Sequence, residues 1–242
     1  NDSVSNLLKK RISSTLMIAI PALILSSLLA LVLGTIMGYR KNTKLDNGIT
    51  TGFIVLDAVP TFLLAMMLVT VFSFQLDIFP LGGLTSTNAS SNGFFSFWDR
   101  VWHLILPILT VTLVSTPNKY LLVRNSVAAA KEEKYVIYAK ARGLSANRIR
   151  FIHIFKNVCQ SFIAMVGLNL GFLISGSMIT EVIFSIHGMG SLIYDAAIFR
   201  DYPTLQGCFF FIALLVILGN ILTDVICIMV DPRQRFGVNN ET

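Results

Sequence analysis

Only 13% of the 242 residues are charged, and the chain has three cysteines, three histidines and two tryptophans. So little charge over this length excludes an ordinary soluble domain. Cys159, Cys208 and Cys227 lie in or beside apolar runs without C-x-x-C spacing, so they read as small buried hydrophobes. His187 has no second His or Cys at ligand spacing, which leaves no metal site to expect. No Gly-x-x-x-x-Gly-Lys-Ser/Thr phosphate loop occurs, so ATP is not bound in that manner. The absence of His-Glu-x-x-His and Gly-x-Ser-x-Gly argues against a membrane hydrolase, and no inverted repeat of the secondary-transporter kind is visible.

What is present is oil. Hydrophobic residues make up 54% of the chain, Phe alone numbers 18, and the mean hydropathy is +0.71. Five apolar runs reach the roughly 20 residues needed to cross about 30 Å of hydrocarbon. They are 14–37, 49–74, 101–123, 158–184 and 205–230. The expected fold is therefore all-α, a polytopic bundle in a lipid membrane forming a single transmembrane domain over 1–242.

Basic residues orient it. Three Lys/Arg lie in 39–48, nine in 119–156 and two after 230, against one each in 77–100 and 185–204. The richer set is expected on the cytoplasmic side, with a cytoplasmic C-terminus. That count serves orientation and not nucleic acid. Five spans then put Lys9, Lys10 and Arg11 outside, against the rule, so a sixth span before residue 1 is expected.

Residues 131–157, KEEKYVIYAKARGLSANRIRFIHIFKN, are a basic island within the oil. Gly143 is placed to close one helix in a left-handed C-cap and Ser145 to begin the next. The reading is helix, sharp turn, helix, with Val136, Ala139, Ala141 and Leu144 offering apolar contact to a partner's groove. A structured loop of this size in a small membrane protein points to something docking there.

Other candidates are polar groups in or beside the spans. Asp57 sits in the second run, three residues before Pro60. It either lines a translocation path or is a structural charge near the interface or a neighbouring subunit. Asn169, Ser177 and Glu181 lie along the fourth run among small residues suited to helix packing, and are also path candidates. Glu181 has the alternative of an outer interfacial anchor. The loop after it, SIHGMGSLIYDAAIFRDYP, holds Leu192, Ile193, Ala196 and Ala197 in an amphipathic stretch expected to lie in the membrane interface.

Tyr135, Val136, Ala139, Ala141, Arg142, Gly143 and Leu144, followed by His153 and Asn157, resemble the coupling loop of the dipeptide, oligopeptide and nickel permeases of bacterial ABC importers. Arg142 stands where that family has Lys. The block Glu181–Leu192, then Arg200-Asp201-Tyr202-Pro203 with Gln206-Gly207, and the closing Asp231-Pro232-Arg233, follow in the family's order. Arg11, Thr15 and Asp46 agree in the first half.

The resemblance implies a non-enzymatic permease subunit of a prokaryotic cell membrane. It would pair with a second permease to pass peptides or nickel and metal chelates delivered by an extracellular binding protein. Two ATPase subunits would carry ATP and Mg, leaving this chain without a cofactor. It implies that a loop at about 124–157 docks on the ATPases through Tyr135, Val136, Tyr138, Ala139, Ala141, Arg142, Gly143, Leu144 and Ser145. His187, Gly188, Gly190, Asp201 and Tyr202 would face the binding protein as an external gate. The competing class is a secondary transporter or channel, with the 131–156 loop as a gate.

Overall fold

In the computed structural model the described residues are 4–86, 93–145 and 148–230, and they contain helices and no strand. The long helices are α1 (Val4–Tyr39), α4 (Gly93–Ala130), α6 (Phe155–Ile183) and α8 (Tyr202–Val230). Between them stand α2 (Lys44–Ala58), α3 (Thr61–Leu68), α5 (Lys134–Ala141) and α7 (Met189–Ile198). π-helical turns extend α3 over Val69–Gln75 and precede α6 over Ile149–Ile154. α1, α4 and α8 are each long and apolar enough to cross a membrane. The all-α membrane bundle is as expected.

The second apolar run is not one straight span. α2 and α3 meet at a bend of 100°, with Pro60 at φ −58° and ψ 137° as the second residue of the break, capping α3. Proline donates no N–H and pushes its predecessor, Val59, out of the helical region, so the ladder cannot continue through 59–60.

The chain divides into two compact units. The first comprises 1–26, 55–115 and 171–214, the second 27–54, 116–170 and 215–242. In the first, α7 packs Met189, Leu192 and Ile193 with Cys208 against Leu7, Leu8, Ile12, Met178 and Phe211. This corrects the expectation of an interfacial helix. Leu192, Ile193 and Ala196 are buried by the chain itself, while Tyr194, Ile198 and Phe199 remain exposed.

In the second unit the core runs from Ala30 and Met37 through Tyr120, Val123 and Val127 to Val136, Ala139, Ile149 and Ile154. α5 is thus part of a packed core and not an appendage. Close backbone approach makes that core possible. A Cβ at Gly38 would lie 2.7 Å from the Arg124 carbonyl oxygen and from Val127 Cβ. Gly38→Ala is expected to cost about 1–3 kcal/mol by overpacking, seen as a lower Tm in detergent. A Tm equal to wild type would show that α1 and α4 are not pressed together there.

Candidate functional site

The docking candidate is built from α4, α5 and the turn after it. α5 ends at Gly143, whose φ of +74° is strained for any side chain. The Gly143 N–H donates to the Lys140 carbonyl (2.9 Å) and the Leu144 N–H to the Ala139 carbonyl (3.2 Å). These two bonds are the Schellman pair that closes a helix on a left-handed residue. The Ser145 carbonyl then accepts the Ile149 N–H at 3.1 Å, opening the next helical segment where the sequence placed it.

α5 has two faces. Val136 and Ala139 are buried within the chain, with Tyr135 and Leu144 packed partly against the same core. The expectation that Val136 and Ala139 offer contact to a partner is corrected, because both are already spent attaching α5. The open face carries Ile137 (56% exposed), Tyr138 (68%), Ala141 and Arg142. His153 and Asn157 have side chains outside the described residues.

Beneath this platform lies an ion pair that sequence reading used only as a family agreement at Asp46. Asp46 is fully buried and accepts from Arg124 through Nε (3.0 Å) and Nη2. The Asn42 N–H (2.9 Å) and the Thr50 hydroxyl (3.3 Å) complete its shell. Thr50 shares a 2.9 Å bond with the Tyr120 hydroxyl, and the Tyr120 ring lies 4.5 Å from that of Phe53. Thr43 opens α2, its hydroxyl accepting the Asp46 N–H at 3.2 Å. Asn42, at φ +68°, makes the sharp entry.

The first unit holds a second constellation. Glu181, on the last turn of α6, is fully buried. It accepts from the Thr15 hydroxyl (2.7 Å), the Ser177 hydroxyl (3.1 Å) and the Ser191 N–H (3.0 Å). Thr15 also accepts the Met189 N–H at 2.8 Å, so α1, α6 and the start of α7 are tied at one point. The glycines of the loop fit around it. A Cβ at Gly188 would lie 2.4 Å from the Glu181 carboxylate, and one at Gly190 2.4 Å from Met178 Cα.

The structure brings together Ser177, Glu181, Gly188 and Gly190 in one clamp. Of the other candidates, Asp57 is exposed on the last turn of α2 and the Asn169 side chain is outside the described residues. His187 and Tyr202 are exposed. Asp201 caps α8, taking the Thr204 hydroxyl at 2.6 Å and the Thr204 N–H at 3.2 Å, and these bonds hold its carboxyl below the usual carboxylate range. Arg124, Tyr120, Thr50 and Thr15 carry most of the bonding at the two constellations. Their sequence signal was faint, because each is a polar residue at the edge of an apolar run.

Residues 30–236 match the family described as binding-protein-dependent transport system inner membrane component. The chain belongs to this family. The permease is 33% identical over 234 residues to the oligopeptide transport system permease protein AppB of Bacillus subtilis, covering 96% of this chain and 72% of that one. It is 33% identical over 245 residues to the peptidoglycan transport system permease protein YejB of Agrobacterium fabrum, covering 98% of this chain and 66% of the relative. With the di/tripeptide transport system permease protein DppB of Pseudomonas aeruginosa, identity is 30% over 236 residues, 92% of this chain and 70% of that one. In fold the permease is similar to a chain of the inward-facing MetNI methionine ABC transporter, at a TM-score of 0.74 and 15% identity over 95% of this chain and 99% of that chain.

Proposed function

We propose that this permease forms, with a second homologous permease, the membrane path of an ABC importer for peptides. Two ATPase subunits bind and hydrolyse ATP, and an extracellular binding protein delivers substrate. The orientation with α5 and the C-terminus in the cytoplasm rests on the distribution of Lys and Arg. Peptides are favoured over nickel or metal chelates because two of the three relatives named above are described as oligopeptide or di/tripeptide transport permeases and the third as a peptidoglycan transport permease. Asp57, Asn169 and the clamp at Glu181 remain assigned to the path and its outer end.

The observation that carries the docking role is the split of α5. One face is anchored in the chain's core, and the other presents Ile137 and Tyr138 to solvent beside a rigid turn. An exposed apolar and aromatic pair on an anchored helix suits a partner's groove. Anchoring also lets a push on α5 travel into α4 and α6 through Val136, Ala139 and Ile154.

Co-purification with the ATPase subunits encoded nearby tests this. Gly143→Pro removes the N–H given to Lys140 and demands a φ near −65°, and is expected to abolish ATPase retention. Tyr138→Ala leaves the core intact and is expected to weaken retention roughly 30-fold, about 2 kcal/mol. Uptake that continues without any ATPase would sink the importer reading.

A further inference from the structure

Three cations converge on one cleft of the second unit. Lys131, Lys140 and Arg150 rim an opening of about 450 Å³, with Tyr39 on its wall and Val136, Ile149 and Ile154 at its floor. Lys131 Nζ donates to the Tyr39 carbonyl at 2.8 Å and stands 5.7 Å from the centre of its ring. The Arg150 guanidinium lies over the same ring at 4.8 Å. Two like charges thus approach one aromatic ring. Glu132 and Glu133 follow Lys131 in sequence, yet among the described residues none of the three cations forms an ion pair with a carboxylate.

Like charges lining one cleft without a counter-charge favour an anion there. Position narrows its source. Tyr39 comes two residues after the apolar run that ends at Met37, and Lys131 eight after the one that ends at Val123. At about 1.5 Å per residue these are about 3 Å and 12 Å past the ends of the apolar runs, so the cleft opens on the polar side of the hydrocarbon, starting beside its border at Tyr39. A cationic rim over an apolar floor at that depth matches a headgroup with the start of its acyl chains better than a free anion.

We propose that this cleft binds the phosphate of an anionic phospholipid through Lys131, Lys140 and Arg150. Occupancy bridges the end of α1 to α5 and the turn after it, so lipid composition biases how firmly the docking platform is held. The proposal rests on the helices crossing a membrane and not on ATPase docking, so loss of that docking would leave it standing.

Native mass spectrometry of the permease, released from nanodiscs of phosphatidylglycerol mixed with phosphatidylcholine, reads it directly. Wild type is expected to retain phosphatidylglycerol selectively, and the double variant Lys131→Gln, Arg150→Gln to weaken that retention about 30-fold. Lys131→Arg, which keeps the charge, is expected to retain the lipid and shows that the loss is not misfolding. Equal retention of both lipids by wild type overturns the proposal, as does selectivity that survives the double variant. Pyrophosphate binding with no lipid preference would assign the cleft to a soluble anion and overturn the lipid source.

Discussion

Asp46→Ala is expected to destabilise the permease by about 3 kcal/mol, and Arg124→Met in the same background to restore most of the loss. The carboxylate is wholly buried, and the Arg124 side chain is only 14% exposed. Removing Asp46 leaves a guanidinium with little access to water, which is the costly half of breaking a buried pair. Removing both charges costs far less, because desolvation and attraction disappear together. Asp46→Asn separates the two jobs of this residue. It keeps one oxygen acceptor, enough for either the Asn42 N–H on Oδ2 or the Thr50 hydroxyl on Oδ1, and loses the charge facing Arg124, so it falls between wild type and Ala. Thermal unfolding in detergent across this cycle decides the matter. If Arg124→Met rescues nothing, the damage comes from the broken start of α2 and not from a stranded charge. The effect is expected to reach α5, since Val123 and Val127, on either side of Arg124 along α4, share a core with Val136 and Ala139 of that helix.

The parts of this molecule legible in sequence are those fixed by a local rule. Lipid demands about 20 apolar residues per crossing, so the long helices were visible as runs. Gly143 was visible because a left-handed helix end admits few other residues, and its two capping bonds follow from that backbone state. What escaped was long-range. Asp46 and Arg124 are 78 positions apart, and each looked like one more charge in a loop count. Pro60 was noticed, but hydropathy averages across a break, and neighbours can satisfy a proline inside a membrane helix. The 100° bend therefore needed the fold. α5 is an intermediate case. Val136 and Ala139 stand three apart on one helical face, while Ile137 and Ala141 stand four apart on another. That periodicity was in the sequence, but choosing which face turns inward required the core built from α1 and α4. The loop after α6 failed as an interfacial helix for the same reason, since nothing local says that α1 and α8 cover its apolar side.

Glu181→Ala is expected to cost about 3–5 kcal/mol and to free the loop over 186–192. Three donors lose their acceptor at once, the hydroxyls of Thr15 and Ser177 and the Ser191 N–H, all in a fully buried setting. Each buried donor left unmatched costs about 1–3 kcal/mol, less whatever water enters the vacated space. The bond from Met189 N–H to Thr15 loses its support too, because Thr15 is held in place by the same carboxylate. Hydrogen exchange then distinguishes a clamp from mere stability. The amides of Met189 and Ser191 are expected to lose protection far more than the interior of α4, which the clamp does not touch. Glu181→Gln, which keeps the volume and one oxygen acceptor, is expected to show a smaller loss in the same segment. Gly188→Ala approaches from the other side, by driving a methyl group to within 2.4 Å of the carboxylate, and should expose the same amides with Glu181 still present. Uniform loss of protection in all three variants would mean a general core defect. Loss confined to 186–192 would mean that one carboxylate decides whether this loop is held against α1 and α6.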